Sequence, residues 1–427
     1  MTDTTLLKKN IADGAMDERL LDICADSSRL DYERSRYVSA IETFESLFGA
    51  KDVSIFSAPG RSEVCGNHTD HQHGIVLACS INRDAIAVAS PRDDGLVRVK
   101  SGDSSLIEFP ISEAEIDESV YGTTISLIKG VIKGIVDRGY NVGGFECYIT
   151  SDVLIGAGLS SSAAFETVIG TVINGFYNSM NITAVEIAQI GQFAENVFFG
   201  KPCGLMDQMA CSVGSLVFID FKDPSSPIVE SVELDLGKYG YSLAITDTKG
   251  SHADLTSDYA AVPAEMKSVA EFFECKVLRE VPEEMFLEKI SDVRGACGDR
   301  ACLRALHFYD ENKRVSEAVA AIRAGKIEGF LNVIKISGDS SFKYLQNVYT
   351  NHDFSHQNMS VALCLSDRIL RGGKGVSRVH GGGFAGTVQA FVSDDTVDSY
   401  REEMDRVFGV GSCNILKIRR YGGIKVV

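Results

Sequence analysis

The chain has 427 residues, 44% of them hydrophobic and 24% charged, with only 8 prolines, a globular composition long enough for two or three domains. Its formal net charge of −17 argues against nucleic acid or an anionic membrane as partner, because both are bound through a basic face. The eleven cysteines form no C-x-x-C pair, the early lysines precede no apolar run, and no stretch reaches the ~18 apolar residues of a membrane span, so the expectation is a reduced, cytoplasmic protein without disulfide framework, zinc ribbon or signal peptide.

Residues 1–32 are polar and mixed and read as an irregular or helical N-terminal extension. In 35–49, Tyr37, Ile41, Phe44 and Leu47 recur at helical spacing and Gly49 is the stop. A strand at 53–60 ends in a Pro59-Gly60 turn, and further strands follow at 74–81, 85–90 and 96–100. A helix over 122–138, a strand at 145–151 and helices at 160–178 and 184–199 come next, then strands at 215–221 and 241–248. The second half holds helices at 256–274, 298–310, 313–324 and 357–371, strands at 376–379 and 387–393, a helix at 395–407 and a strand at 413–419. The class is mixed α+β, and "KDPSSP" (222–227) breaks the pattern before a domain boundary within 225–240.

Four stretches carry chemistry. "VLIGAGLSSSAAFE" (153–166) runs from a strand through small residues into a helix. Gly156 and Gly158 let backbone approach a ligand, and Ser160, Ser161 and Ser162 add hydroxyls to the free N–H groups of a helix start, which suits an anion. A serine-rich cap after a tight turn has the same composition. "HGGGFAGTVQAFV" (380–392) reads as a glycine loop entering a strand, or as a plain hairpin turn. In "FAENVFFGKPCGLMDQMACS" (193–212), Glu195 lies near a helix end and Asp207 sits among apolar residues. A carboxylate there needs a partner, a task or a capping role. "SAPGRSEVCGNHTDHQHG" (57–74) holds Arg61 and three of the eight histidines, a pattern open to metal binding, proton relay or sugar recognition.

Together these four resemble the galactokinase branch of the GHMP kinase family. The lead-in is similar to G-R-x-N-L-I-G-E-H-T-D-Y, "IGAGLSSSAAFE" to the family phosphate loop with Leu154 in place of proline, and "AENVFFGKPCGLMDQ" to A-E-H-x-(F)-x-G-x-x-C-G-I-M-D-Q. "GGGFAG" resembles G-G-G-F-G-G with Ala385 for a glycine, and 246–262 and 299–315 also fit in order, so the resemblance covers roughly 50–420. It implies a two-lobed fold, with a ribosomal-protein-S5-domain-2-like N-terminal lobe (36–235, after an extension at 1–35) and a ferredoxin-like C-terminal lobe (236–427).

The resemblance further implies ATP-dependent phosphorylation of the anomeric hydroxyl of galactose. Asp207 would be the base and Arg61 its partner beside the transferred phosphate. Gly156, Ala157, Gly158, Leu159, Ser160, Ser161 and Ser162 would wrap the ATP phosphates, with Ser162 and Glu195 on Mg²⁺. Asn67, His68, Asp70, Gly204 and Tyr259 would line the sugar. The partners implied are small molecules, a sugar and ATP, and no obligate protein. Asn67 stands where the family has Glu and Glu63 where it has Asn, and His71 replaces Tyr. The missing Glu addresses the C6 hydroxyl in the family, so galacturonate or another galacto-configured sugar is the alternative substrate. A sugar-and-ATP sensor without turnover is the remaining reading, although such sensors lose two residues from the serine-alanine run that is complete here.

Overall fold

Two long strands, Asp52–Cys65 and Ile75–Arg92, pair antiparallel and form the spine of the molecule. The computed structural model describes residues 1–154, 158–250 and 255–427. Among these residues the strands make a nine-stranded and a four-stranded sheet. In the larger sheet every pairing is antiparallel except that of Leu96–Ser101 with Gly144–Ser151.

The spine is buried on both faces. Phe56, Ala58, Ala85, Ala87 and Ala89 point toward helices Thr124–Asp137, Ser161–Tyr177 and Ala184–Phe193, meeting Ile128, Val131, Val168 and Ile187. Their alternating neighbours Val53, Ile55, Ile86 and Val88 meet Leu7, Ile11, Leu20, Ile41 and Phe44 on the other side. Strict alternation therefore serves two cores instead of a core and solvent. The alanines let the helices come close, and the N-terminal region supplies the second cover.

Several expected boundaries move for identifiable reasons. The extension is helical, Thr4–Ala12 and Asp17–Cys24, and the next helix is Leu30–Phe48. The expected division at 35/36 thus falls inside a helix that packs on the sheet. The strands expected at 74–81 and 85–90 are one strand, because "NRD" (82–84) stays extended with Asn82 and Asp84 buried. Pro59-Gly60 is not a turn but a register shift within Asp52–Cys65, as Pro59 still pairs with Asp84 and Arg61 with Ser80.

The smaller sheet runs Gly375–His380, Thr387–Ser393, Tyr241–Asp247, Cys413–Leu416, all antiparallel. Helices Asn358–Ile369 and Val397–Phe408 cover one face through Met359, Leu363, Tyr400 and Met404. On the other face Leu243, Ile245 and Phe391 join Val315, Val319, Phe330 and Ile334 in a core that reaches Leu77 and Leu216 of the larger sheet. The helices expected at 298–310 and 313–324 are one, Asp299–Arg323, whose charged middle is buried because Glu311 and Arg314 bond each other. Helix Ile327–Ser340 follows it, with no counterpart in the sequence reading. The tail returns to the first lobe, where Ile424–Lys425 pairs with Asp52–Cys65.

Candidate active site

The register shift at Pro59–Arg61 turns Arg61 toward helix Met206–Val213. Its Nε donates to Asp207 Oδ1 and its Nη2 to Oδ2, each at 2.7 Å, the two-pronged geometry a guanidinium gives with a carboxylate. Nη1 donates to Gly158 O, and the Arg61 backbone N–H donates to Leu159 O at 3.1 Å. Ser160 Oγ also donates to Asp207 Oδ2. Burial pushes the Asp207 carboxyl up, but the Arg61 charge, the Arg61 hydrogen bonds and the Ser160 hydroxyl outweigh it and hold the carboxyl below its ordinary value. Neither capping alternative describes these side chains: helices Ser161–Tyr177 and Met206–Val213 have no side-chain cap bond, and Ser160 and Asp207 bond each other.

Ser160 adopts φ +62 and leads into helix Ser161–Tyr177. The first N–H groups of that helix have no intrahelical acceptor, and among the described residues no side chain caps them, an arrangement that suits an anion. Leu159 contributes only backbone here, since its side chain is in the core. Gly156 and Ala157 lie outside the described residues. Ser162 Oγ donates to Glu195 Oε1 at 3.2 Å. Glu195 sits on a π-helical turn, Ala194–Phe198, that ends helix Ala184–Phe193 and shifts its side chain relative to a continuous α-helix. Lys201 Nζ reaches the same oxygen at 3.0 Å, and Gln208 Nε2 donates to Glu195 Oε2 at 2.8 Å. One turn beyond Ser162, Glu166 is buried beneath this group, and burial followed by the Glu195 charge holds its carboxyl well above the ordinary value.

Next to Asp207 opens a cavity of about 310 Å³ whose wall includes Arg61, Glu63, Asn67, His68, Asp70, Lys201, Gly204 and Gly381–Gly382. His68 has φ +59, and its Nε2 lies 2.9 Å from Gly382 O. A carbonyl only accepts, so Nε2 carries the hydrogen and Nδ1 is left as an acceptor. Burial, then the neighbouring His71, pushes the His68 imidazole down to about 4. The Asp70 carboxylate occupies the space a Cβ on Gly204 would need, so a side chain at 204 would displace it.

Glu63 and Asn67 form one buried unit. Asn67 Nδ2 donates to Glu63 Oε1 at 3.0 Å and to Gly381 O at 2.8 Å, and Asn67 Oδ1 accepts from Asn347 Nδ2 at 2.7 Å. Arg378 Nη2 donates to Glu63 Oε1 at 2.7 Å. The Asn67 amide is thus committed to protein partners, and beside it stands the Glu63 carboxyl, which burial pushes above its ordinary value against the pull of Arg378. Tyr259 stands behind the glycine loop, with its OH donating to Gly383 O at 2.8 Å, and does not form part of the described wall. His71 is exposed at the edge and His73 lies in the turn before Gly74. Among the described residues no group of three or more His, Cys, Asp or Glu is placed to hold a metal, and the eleven cysteines are free.

Five residues of this region, Lys201, Arg378, Asn347, Gln208 and Glu166, are not singled out by the sequence patterns above. Lys201 was visible as the sole cation in "FFGKPCG". Arg378 alternates with buried Val379 in a strand, a signal that a charge points into a covered layer. Asn347 and Gln208 have no comparable local pattern.

Residues 42–91 match the family described as "Galactokinase galactose-binding signature", and residues 126–215 match "GHMP kinases N terminal domain". A galactokinase of Glaesserella parasuis is 32% identical over 366 residues, covering 84% of this chain and 90% of that protein. A galactokinase of Streptomyces coelicolor is 29% identical, covering 86% and 92%. The crystal structure of Lactococcus lactis galactokinase complexed with galactose superposes with a TM-score of 0.77 at 27% identity, covering 91% of this chain and all (100%) of that one. Methanococcus jannaschii mevalonate kinase shares the fold at a TM-score of 0.61 and 16% identity, covering 86% of this chain and 98% of that one.

Proposed function

The chain belongs to the galactokinase family of GHMP kinases, and from that premise we propose that it transfers the γ-phosphoryl group of ATP to the C1 hydroxyl of galactose, giving galactose 1-phosphate and ADP. The observation that carries this reading is the Arg61–Asp207 pair, which joins the cavity to the start of the phosphate-loop helix.

The residues divide the work as follows. Asp207 takes the proton as the C1 oxygen forms its bond to phosphorus. A carboxylate has about four lone-pair sites; Arg61 and Ser160 use three, which leaves one for the substrate hydroxyl. Arg61 keeps that carboxylate ionised and places positive charge beside the transferred group, where phosphoryl transfer concentrates negative charge. Gly156 to Ser162 cradle the phosphates. Ser162 and Glu195 present a hydroxyl and a carboxylate oxygen 3.2 Å apart, hard donors suited to Mg²⁺. When bound, Mg²⁺ neutralises phosphate oxygens.

His68, Asp70 and the Gly204 backbone receive sugar hydroxyls, with Glu63 taking the place in the wall expected of Asn67. The two cations of the described wall are each held by a carboxylate, Arg61 by Asp207 and Lys201 by Glu195, and Asp70 adds a negative charge, which favours a neutral hexose over a uronate. Tyr259 supports the glycine loop. We further propose lobes dividing near 235 and a cytoplasmic location, the latter in keeping with eleven free thiols and no helix long and apolar enough to cross a membrane among the described residues. A coupled ADP-release assay over galactose, galacturonate, N-acetylgalactosamine and glucose tests the reading. Turnover confined to galacturonate would replace the substrate, and no turnover with any of them would remove the kinase.

A further inference from the structure

One helix of the second lobe holds the sugar-side loop of the first at three backbone points. Glu311 Oε1 accepts the Gly66 N–H at 3.0 Å, His307 Nε2 lies 3.0 Å from Asn67 O, and Asn312 Oδ1 accepts the Ile75 N–H at 2.6 Å. His307 and Glu311 are one turn apart on Asp299–Arg323 and fully buried. Gly66 and Ile75 are the two ends of the segment that presents His68, Asp70 and His71 to the cavity. They are pinched together, because a Cβ on Gly66, at φ +103, would lie 2.6 Å from Ile75 O.

The clamp is itself braced. Glu311 Oε2 accepts from Arg314 Nε at 2.6 Å and Oε1 from Ser337 Oγ at 2.5 Å. Arg314 Nη2 donates to Ser340 Oγ at 2.8 Å, and that oxygen lies 2.9 Å from His307 Nδ1. Since Asn67 O can only accept, the chain is directed from Arg314 through Ser340 to His307 and on to the loop. A neutral imidazole is what this chain requires, and burial holds His307 below its ordinary value. None of His307, Glu311 or Asn312 is in the described cavity wall. Isolated loop segments lack such support, since they run over the surface and hold their own ends by few bonds.

We infer that His307 and Glu311 are positioning residues that set sugar affinity from the second lobe, by fixing the backbone of the loop 66–75 without touching the substrate. The inference rests on the reading of the cavity as the sugar site. Fixing the loop in advance reduces the ordering cost of binding, so loss of the clamp appears in sugar affinity more than in the chemical step, whose groups sit on other elements.

The test is steady-state kinetics and amide hydrogen exchange on wild type, E311Q, H307A and H307Q. In H307A the KM for galactose should rise at least tenfold, with kcat and the KM for ATP within about threefold, and amides of 66–75 should exchange at least tenfold faster in the free protein; E311Q, which keeps an oxygen for the Gly66 N–H but loses the charge that Arg314 braces, should move both readouts in the same direction by less. H307Q, whose amide N–H reaches the same carbonyl, should recover most of both losses. Unchanged sugar KM and unchanged loop exchange overturn the inference, as does a fall in kcat with lower melting temperature and no change in sugar KM, which marks packing support alone. If E311Q does not fold, the H307A and H307Q pair decides. Absence of galactose turnover in wild type defeats the function reading instead, while the exchange data still decide whether the helix holds the loop.

Discussion

Arg61 and Asp207, 146 positions apart in the chain, meet through two hydrogen bonds of equal length, 2.7 Å each. Ser160 adds a third to the same carboxylate. A side chain held by three donors is oriented before substrate arrives, and its charge is stabilised by donors already in place.

Asp207→Asn keeps the shape and removes the proton acceptor. Turnover should fall by roughly 10²–10⁴, the usual worth of a positioned base, while galactose binding measured by calorimetry stays within a few-fold. Near-normal turnover would remove Asp207 from the base role.

Arg61→Met removes the strongest opposition to burial at Asp207 and leaves the Ser160 hydrogen bond and the Lys201 charge to act against it. In wild type the carboxyl lies below its ordinary value, so the base is ionised across neutral pH and the acid limb of kcat/KM due to it lies below the usual carboxylate range. In the variant the carboxyl pKa rises and the limb moves to higher pH, by more than about one unit. A limb that stays in place would show that Arg61 does not hold the charge.

Sugar affinity should be flat from about pH 8 to pH 5 and weaken below. His68 is held down to about 4, so it is neutral, with Nδ1 accepting, throughout that window, and protonation removes the acceptor only as pH approaches its pKa. Calorimetric titration of galactose at stepped pH checks this, and loss of affinity already near pH 6.5 would contradict it.

Glu63→Gln replaces the buried charge on the wall by a neutral group. The ratio of kcat/KM for galactose to that for galacturonate should fall at least tenfold, since one relieved like-charge contact is worth about 1–3 kcal/mol. Asn67→Glu has a different expectation from one based on residue type alone. It would place a second carboxylate about where Nδ2 now meets Glu63 at 3.0 Å, so the protein should lose thermal stability before it gains selectivity.

Activity should require Mg²⁺ or Mn²⁺, and Glu195→Gln should raise the metal concentration for half-maximal rate. If the chelated, metal-free enzyme turned over ATP at the normal rate, Ser162 and Glu195 would lose their assignment.

Much of this was legible beforehand, in a graded way. Arg61, Ser160 and Asp207, which meet in the structure, and the cavity-lining residues of 57–74 could be singled out beforehand because short local motifs carry their own chemistry. The burial of Asn67 could not, because its partners Asn347, Gly381 and Glu63 come from both lobes, and no local window contains them. Helix boundaries near 312 failed for the opposite reason: "DENKR" looks like a surface break, yet Glu311 and Arg314 face inward and bond each other. The strands split at 82–84 were one because Asp84, buried between Arg36 and Arg419, has two cations that local hydropathy does not count. Tyr259, expected at the sugar by resemblance, donates its OH to Gly383 O of the glycine loop, a contact that no local window of sequence contains.

That Asp84 has a consequence for how the protein is made. Its carboxylate binds Arg36 at 2.6 Å and Arg419 at 2.7 Å, one from the first helices and one from the returning tail. Burial opposes its charge, but the two guanidiniums hold its pKa at about 2. A buried pair that loses one partner costs about 3–5 kcal/mol. While a ribosome has released only the first lobe, Arg419 and the strand Ile424–Lys425 are still unmade, so that lobe lacks one of the two cations on its buried acid and has an open sheet edge. Domains usually fold in order of synthesis. In this chain the first lobe's sheet and its buried acid are completed only by the last residues of the second.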